Sequence, residues 1–116
     1  MGRMEKVNNQ MRREISTIIH QELGDPRMSL ITVTHVDVSP DLKNAKVYFS
    51  VLGDANNIKD AGLVLNNARG LIRHMVSQRV QIRHTPEIHF IYDQSVSINA
   101  KIEETIKEIN DDQERD

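Results

Sequence analysis

The sequence predicts a two-layer α+β domain in which helices cover one face of a three-stranded sheet. Three segments repeat apolar residues at helical spacing and three others are rich in β-branched residues, in the order α-β-β-α-α-β. Two consecutive helices between the second and third strands allow a right-handed crossover along one face of the sheet. With 116 residues, of which 38% are hydrophobic, the chain supports one core and not two.

The first element is an amphipathic helix of about five turns, because its apolar residues return every three or four positions. Glycine suits the position after a helix and proline bars its continuation, so the stretch Gly24-Asp25-Pro26 ends this helix. The helix therefore buries one face and leaves the other to polar and basic residues. The buried face consists of Met4, Val7, Met11, Ile15, Ile18, Ile19 and Leu23.

The next two elements are strands joined by a turn. Residues 30–38 and 45–52 are rich in β-branched residues, and the turn-forming stretch 39–44 separates them. In the second strand, apolar residues alternate with polar ones such as Lys46 and Tyr48. This alternation predicts one buried sheet face and one face open to solvent.

Two helices and a last strand complete the domain. The second helix begins after several capping candidates at residues 54–57, and residues 68–70 interrupt the helical pattern before a third helix. Proline disfavours helix in the residue before it, so Pro86 ends this helical region. Residues 88–92 alternate in hydrophobicity and are predicted to form the third strand.

We expect the folded domain to span residues 1–94. Residues 95–116 are predicted to form a short C-terminal helix followed by an acidic, disordered end. This helix would carry a narrow apolar stripe formed by Ile98, Ile102, Ile106 and Ile109.

The net charge of −2 is the sum of two unlike parts. Residues 1–100 contain twelve Lys and Arg against ten Asp and Glu, whereas residues 101–116 contain three against seven. Residues 61–86 contain four arginines and two histidines and no acidic residue. This asymmetry favours a polyanionic partner, and the alternative is an ordinary solvated helix face.

Several function classes find no support in the residues. The chain contains no cysteine, no phosphate-binding glycine loop, and no Gly-x-Ser-x-Gly or His-Glu-x-x-His motif, and its five histidines lack metal-ligand spacing. We therefore expect no catalytic residue, no metal and no cofactor. No targeting or membrane segment is visible, which predicts a cytoplasmic protein without a membrane partner. The two Phe and two Tyr are too few for a regular base-stacking platform.

The junction between the second and third helices is the most informative local feature. The predicted element order, with a glycine between paired helices, is the layout of a type II KH domain, in which a Gly-x-x-Gly loop admits a nucleic-acid backbone. Here Ala68 and Gly70 stand in place of the paired glycines and still permit a sharp bend. The N-terminus of the third helix would attract a phosphate, with Arg69 and Arg73 on the same side. The alternative is a tight helix–helix turn with ordinary surface arginines.

Several stretches share a characteristic order and spacing along most of the chain, up to about Tyr92. They are Arg12-Arg13-Glu14-Ile15, Asp25-Pro26-Arg27, residues 38–48, Ala68-Arg69-Gly70 with Ile72-Arg73, and residues 79–90. In these stretches the sequence resembles the ribosome-binding factor A family of bacterial small-subunit assembly factors. The resemblance implies a non-catalytic protein with a KH-type fold and an Ala-x-Gly kink. It also implies binding to the small (30S) ribosomal subunit and its 16S rRNA during late maturation, including processing of the rRNA 5′ end.

The resemblance further implies an RNA-binding surface centred on the kink. Its candidate residues lie at the kink, in the rest of the acid-free window, on the first helix and on the hairpin. In that order they are Asn67, Ala68, Arg69, Gly70 and Arg73; Arg79, Arg83 and His84; Lys6, Arg12 and Arg13; and Lys43 and Lys46. The protein is expected to act as a monomer. The alternative function is a protein–protein adapter or a small-ligand-binding α+β module without an RNA role.

Overall fold

The computed structural model describes residues 2–95 of the chain. The predicted C-terminal helix and acidic end lie outside the described residues, and the predicted domain boundary at residue 94 stays a prediction. Helices and strands make up most of the described part. In chain order they are α1 (Arg3–Thr17), β1 (Ile31–Val38), β2 (Asn44–Val51), α2 (Ala55–Arg79) and β3 (Glu87–Tyr92).

The sheet has the strand order β1-β2-β3. β1 and β2 form an antiparallel hairpin, and β3 joins the other edge of β2 in parallel. The parallel pairing requires a crossover, which α2 provides by carrying the chain back along the sheet. The predicted α+β class and three-stranded sheet are confirmed, and each strand lies within one residue of its predicted bounds.

The core lies between the helices and one face of the sheet. Along each strand the side chains alternate between this buried face and an exposed one. The exposed face of the sheet is polar, as the alternation in β2 predicted. The strand residues that fill the core are Ile31, Val33, Val36, Val38, Ala45, Val47, Phe49 and Ile88.

The first helix has the predicted extent but changes geometry near its end. α1 continues as a five-residue π-helical turn, Ile18–Glu22. Gly24 then adopts a φ of 67°, a left-handed conformation that glycine reaches without the penalty of a Cβ atom. The Asp25 side chain accepts a hydrogen bond from the backbone of Arg27, which caps a short 3₁₀ turn, Pro26–Leu30.

α2 is one continuous helix of 25 residues, so the predicted break at residues 68–70 is wrong. The buried residues Ala61, Leu65, Ile72 and Val76 follow one side of the helix across that position, with Ala68 half-buried between them. A lone glycine costs a helix interior about 1 kcal/mol relative to alanine. Burial of the apolar side chains on both sides outweighs this cost, because each fully buried one contributes about 1.5–3 kcal/mol.

The start of α2 is defined by side chains. Asp54 accepts a hydrogen bond from the backbone N–H of Asn57, and the Asn57 side chain accepts one from the backbone N–H of Asp54, which together form a capping box. Asp54 to Asn57 was the predicted capping stretch. The capping box fixes the residue at which α2 begins.

Candidate nucleic-acid interface

One concave surface brings together the largest share of the predicted RNA-binding residues. It has a volume of about 600 Å³ and lies where the C-terminal half of α2 passes the loop that leads into β3. We call it the basic groove. Its lining residues are Asn66, Arg69, Gly70, Arg73, His74, Ser77, Arg83, His84, Thr85 and Glu87.

Two arginines supply the free positive charge of the basic groove. Arg69 is exposed on α2, and Arg83 is exposed on the loop that faces it. Neither side chain forms a hydrogen bond or an ion pair with any residue in 2–95. An unpaired guanidinium offers a planar fork of donors that matches a phosphate group, so both side chains are available to a polyanion.

Arg73 lines the groove and also forms contacts within the fold that the sequence does not predict. Its Nε atom donates to the backbone carbonyl of Pro86 at 3.2 Å, and a terminal nitrogen donates to that of Thr85 at 2.8 Å. Another terminal nitrogen lies 3.8 Å from a carboxylate oxygen of Glu87. Arg73 therefore holds the loop before β3 against α2, and in doing so it positions Arg83 and His84 across the groove from Arg69.

Gly70 contributes an open stretch of helix surface to the basic groove. A Cβ atom at this position would meet no heavy atom within 4 Å, so the helix backbone is accessible here. The helix does not begin at this point, and its N–H groups are engaged in the helical hydrogen-bond pattern. The expected phosphate site at the N-terminus of a third helix is therefore absent, and anion binding in the groove depends on side chains.

Asn67 and Ala68 lie on another side of α2 from Arg69. The groove-lining residues of α2 recur every three or four positions from Asn66 to Ser77, and Asn67 and Ala68 fall outside that stripe. Both residues line a second hollow of about 440 Å³ together with apolar side chains that include Leu63 and Leu71. The structure does not bring these two predicted site residues into the basic groove.

Arg79 is engaged within the fold. One of its terminal nitrogens lies 2.9 Å from Glu22, and another lies 3.9 Å from Glu14. Both acidic residues belong to the first helix and its π-helical turn, far from Arg79 in sequence. Its charge is thus partly neutralised, and it does not line the basic groove.

The remaining predicted candidates are distributed over other surfaces. None of them lines the basic groove, although most are exposed. Three lie on α1, one lies in the β1–β2 turn, and one lies on the exposed face of β2. In that order they are Lys6, Arg12 and Arg13; Lys43; and Lys46.

Asn66 and His74 line the groove and were missed by the sequence reasoning. Together with the groove residues already predicted on α2, they form a stripe at spacings of three and four residues. That stripe was detectable in the sequence as helical periodicity. It was missed because the predicted break at residues 68–70 divided the pattern into two separate helices.

Other kinds of site find no support in the described part of the chain. Residues 2–95 hold no group of three or more histidine, aspartate or glutamate side chains placed to bind a metal ion. Within the same residues, neither helix is both long and apolar enough to cross a membrane.

Comparison with known sequences gives a consistent match. A family model described as ribosome-binding factor A matches residues 3–106. Ribosome-binding factor A from Desulfitobacterium hafniense is 42% identical over 114 residues, which cover 98% of this chain and 91% of the relative. The protein of the same name from Acetivibrio thermocellus is 46% identical over 109 residues, which cover 93% of this chain and 89% of the relative.

Comparison with solved structures extends the match to the fold. The crystal structure of ribosome-binding factor A from Thermus thermophilus is similar with a TM-score of 0.70 and 27% identity, over 79% of this chain and 97% of that chain. A homology model of the Thermus thermophilus protein, fitted into the cryo-electron-microscopy map of a 30S complex, has a TM-score of 0.62 and 28% identity. That similarity covers 75% of this chain and 91% of the other.

Proposed function

Since the chain belongs to the ribosome-binding factor A family, we propose that it binds the free small (30S) ribosomal subunit and its 16S rRNA during late maturation. The proposed role includes support for processing of the rRNA 5′ end, and it is the role of a non-catalytic, cytoplasmic monomer. The observation that carries the proposal is the basic groove with its two unpaired arginines. The relative fitted into a 30S complex supports the choice of partner.

The groove suits a phosphate backbone. Arg69 and Arg83 both line it and have no partner within residues 2–95, and the missing side chain at Gly70 allows close approach to the helix. Contacts with phosphates fix the position and orientation of a bound nucleic acid but do not read its sequence. A protein that binds in this way recognises the path of the rRNA backbone and the shape of the subunit surface.

The groove also suits binding better than acid–base or nucleophilic chemistry. Among the described residues that line the groove, Glu87 is the one carboxylate, and Arg73 lies close enough to offset its charge. The Ser77 hydroxyl donates to the backbone carbonyl of His74 and not to a general base. These contacts support the proposed non-catalytic role.

Co-sedimentation with purified free small subunits tests the proposal. We expect Arg69→Glu with Arg83→Glu to weaken binding by more than about tenfold at moderate salt, because two phosphate contacts become repulsive. Lys59→Glu is the matched control, since Lys59 is exposed on the same helix and lies outside the groove. That control variant should pellet with the subunits almost as the wild-type chain does.

Circular dichroism and thermal melting would establish that the double variant is folded. A folded double variant that still pellets with small subunits at the wild-type level would contradict the proposal. Binding that is also insensitive to salt would instead favour a protein–protein adapter, because protein contacts without phosphates release few counterions.

A further inference from the structure

The exposed face of the sheet carries a stacked pair of rings. His35 on β1 lies directly opposite Tyr48 on β2 in the strand register. Their ring centroids are 4.1 Å apart, and the ring planes differ by only 13°. The pair therefore forms a short, flat stack that stands on the side of the sheet away from the basic groove and the core.

A bulge in β1 places this pair beside a buried carboxylate. The strand register shifts between Val33 and His35, and the Thr34 hydroxyl donates to Asp93 Oδ2 at 2.7 Å. The other oxygen of Asp93 accepts hydrogen bonds from the hydroxyl and the backbone N–H of Ser95.

Asp93 is ionised in this position and lies next to the His35 ring. Hydrogen bonds from Ser95 and Thr34 hold the pKa of the Asp93 carboxyl below its ordinary value, against the opposing effect of burial. His35 Nδ1 lies 3.9 Å from Asp93 Oδ2. The carboxylate thus lies near one edge of the imidazole, while Tyr48 supports one of its faces.

The opposite face of the imidazole is open in the described residues. The His35 side chain is 56% exposed, and β1 is an edge strand of the sheet that residues 2–95 form. Lys46 lies two residues before Tyr48 and so projects from the same sheet face. Lys46 is exposed and forms no ion pair with Asp37, its cross-strand neighbour, so its charge is available next to the stack.

We propose that His35, supported by Tyr48, is a stacking site for one unpaired RNA base, with Lys46 contacting the phosphate beside that base. This inference rests on the proposed function and deepens it, because it adds a base contact on the exposed sheet face to the backbone contacts proposed for the basic groove. The small number of Phe and Tyr residues argued against a regular stacking platform. A single site needs only one supported ring, and the ring here belongs to a histidine that an aromatic count leaves out.

Two single-stranded RNA hexamers of equal length and charge test the proposal, one with bases and one abasic. The wild-type full chain should bind the base-containing hexamer about tenfold more tightly, a typical gain for one base stacked on an aromatic ring. His35→Ala should remove this preference, whereas His35→Phe should keep it. His89→Ala is the matched control, because His89 is an exposed histidine on the same sheet face.

An intrinsic fluorescence signal provides a second measurement. The chain has no tryptophan and two tyrosines. In a Tyr92→Phe variant, the intrinsic fluorescence therefore comes from Tyr48. The base-containing hexamer should quench this emission and the abasic hexamer should not. Equal binding of the two hexamers by the wild-type chain would overturn the proposal, as would a base preference that persists in His35→Ala.

A groove variant separates this inference from the proposed function. Arg69→Ala with Arg83→Ala should weaken the binding of both hexamers by a similar factor and leave the base preference intact. If the groove variant binds small subunits as the wild-type chain does while the base preference remains, the groove proposal fails and the stacking site stands. If the groove variant loses subunit binding but no base preference exists, the stacking site fails alone.

Discussion

The basic groove and the C-terminal end of α2 carry the same type of side chain in different electrostatic surroundings. Arg69 and Arg79 lie on one helix, and both belong to the segment without acidic residues. Arg69 has no partner in the described residues, whereas Arg79 is held by Glu22 and Glu14 from the first helix and its π-helical turn. The same residue type therefore provides free charge in one region and connects two helical elements in the other.

The difference shows what a charge count along a sequence can establish. A window of four arginines without an acid predicts a positive segment, and three of those arginines line the basic groove. Which of the four charges is free depends on tertiary neighbours. Within residues 2–95, Arg69 and Arg83 have no partner, whereas Arg73 and Arg79 are engaged within the fold.

The largest effect on stability within this comparison is expected for Arg73→Ala. The change leaves the carbonyls of Thr85 and Pro86 without their donor, and we expect the free energy of unfolding to fall by about 1–2 kcal/mol. Urea denaturation measures this free energy of unfolding. Arg69→Ala is the control, and its free energy of unfolding should stay within about 0.5 kcal/mol of the wild-type value. Equal stability of the two variants would contradict the division between free and engaged arginines.

A smaller effect of opposite sign is expected for Gly70→Ala in the basic groove. Gly70 has a helical conformation and open space at its Cβ position, so alanine should raise the free energy of unfolding by about 0.5–1 kcal/mol. Gly53→Ala is the control and should lower the free energy of unfolding, because Gly53 has a φ of 139° and a Cβ atom there would overlap Asn57. A loss of stability in Gly70→Ala would show that the predicted break in the helix exists.

The smallest effect is expected for Arg79→Gln. Its ion pairs with Glu14 and Glu22 are partly exposed, so we expect the free energy of unfolding to fall by about 0.2–0.5 kcal/mol, a loss that shrinks as salt is added. A double-mutant cycle with Glu22→Gln isolates the pair, and the two losses should not be additive. If the losses of the two single variants add up in the double variant, Arg79 and Glu22 do not interact, which would contradict the ion pair.

Much of the fold was predictable because its signals are local. The apolar repeat of the first helix, the β-branched strands and the capping stretch at Asp54 each act over a few residues, and all three predictions match the structure. The break at residues 68–70 was predicted wrongly for the same reason. Glycine lowers local helix propensity, and only the tertiary burial of Leu65 and Ile72 on either side shows that the helix continues.

The candidate site was predictable only in part. Four of the predicted candidates, Arg69, Gly70, Arg83 and His84, line the groove together with Arg73, and their binding role remains a proposal. The loop-holding role of Arg73 could not be predicted, because it depends on carbonyls more than ten residues away. The stacked pair of His35 and Tyr48 also depends on strand register, which the sequence alone does not specify to the residue.

The salt dependence of binding to free small subunits tests the central claim most directly. The slope of log Kd against log salt should become shallower by about 1.5 to 2 in Arg69→Ala with Arg83→Ala, because two phosphate contacts are lost. Arg79→Ala should leave the slope unchanged. An unchanged slope in the groove variant, or an equal decrease in the Arg79 variant, would contradict the claim that the free arginines of the basic groove bind the rRNA backbone.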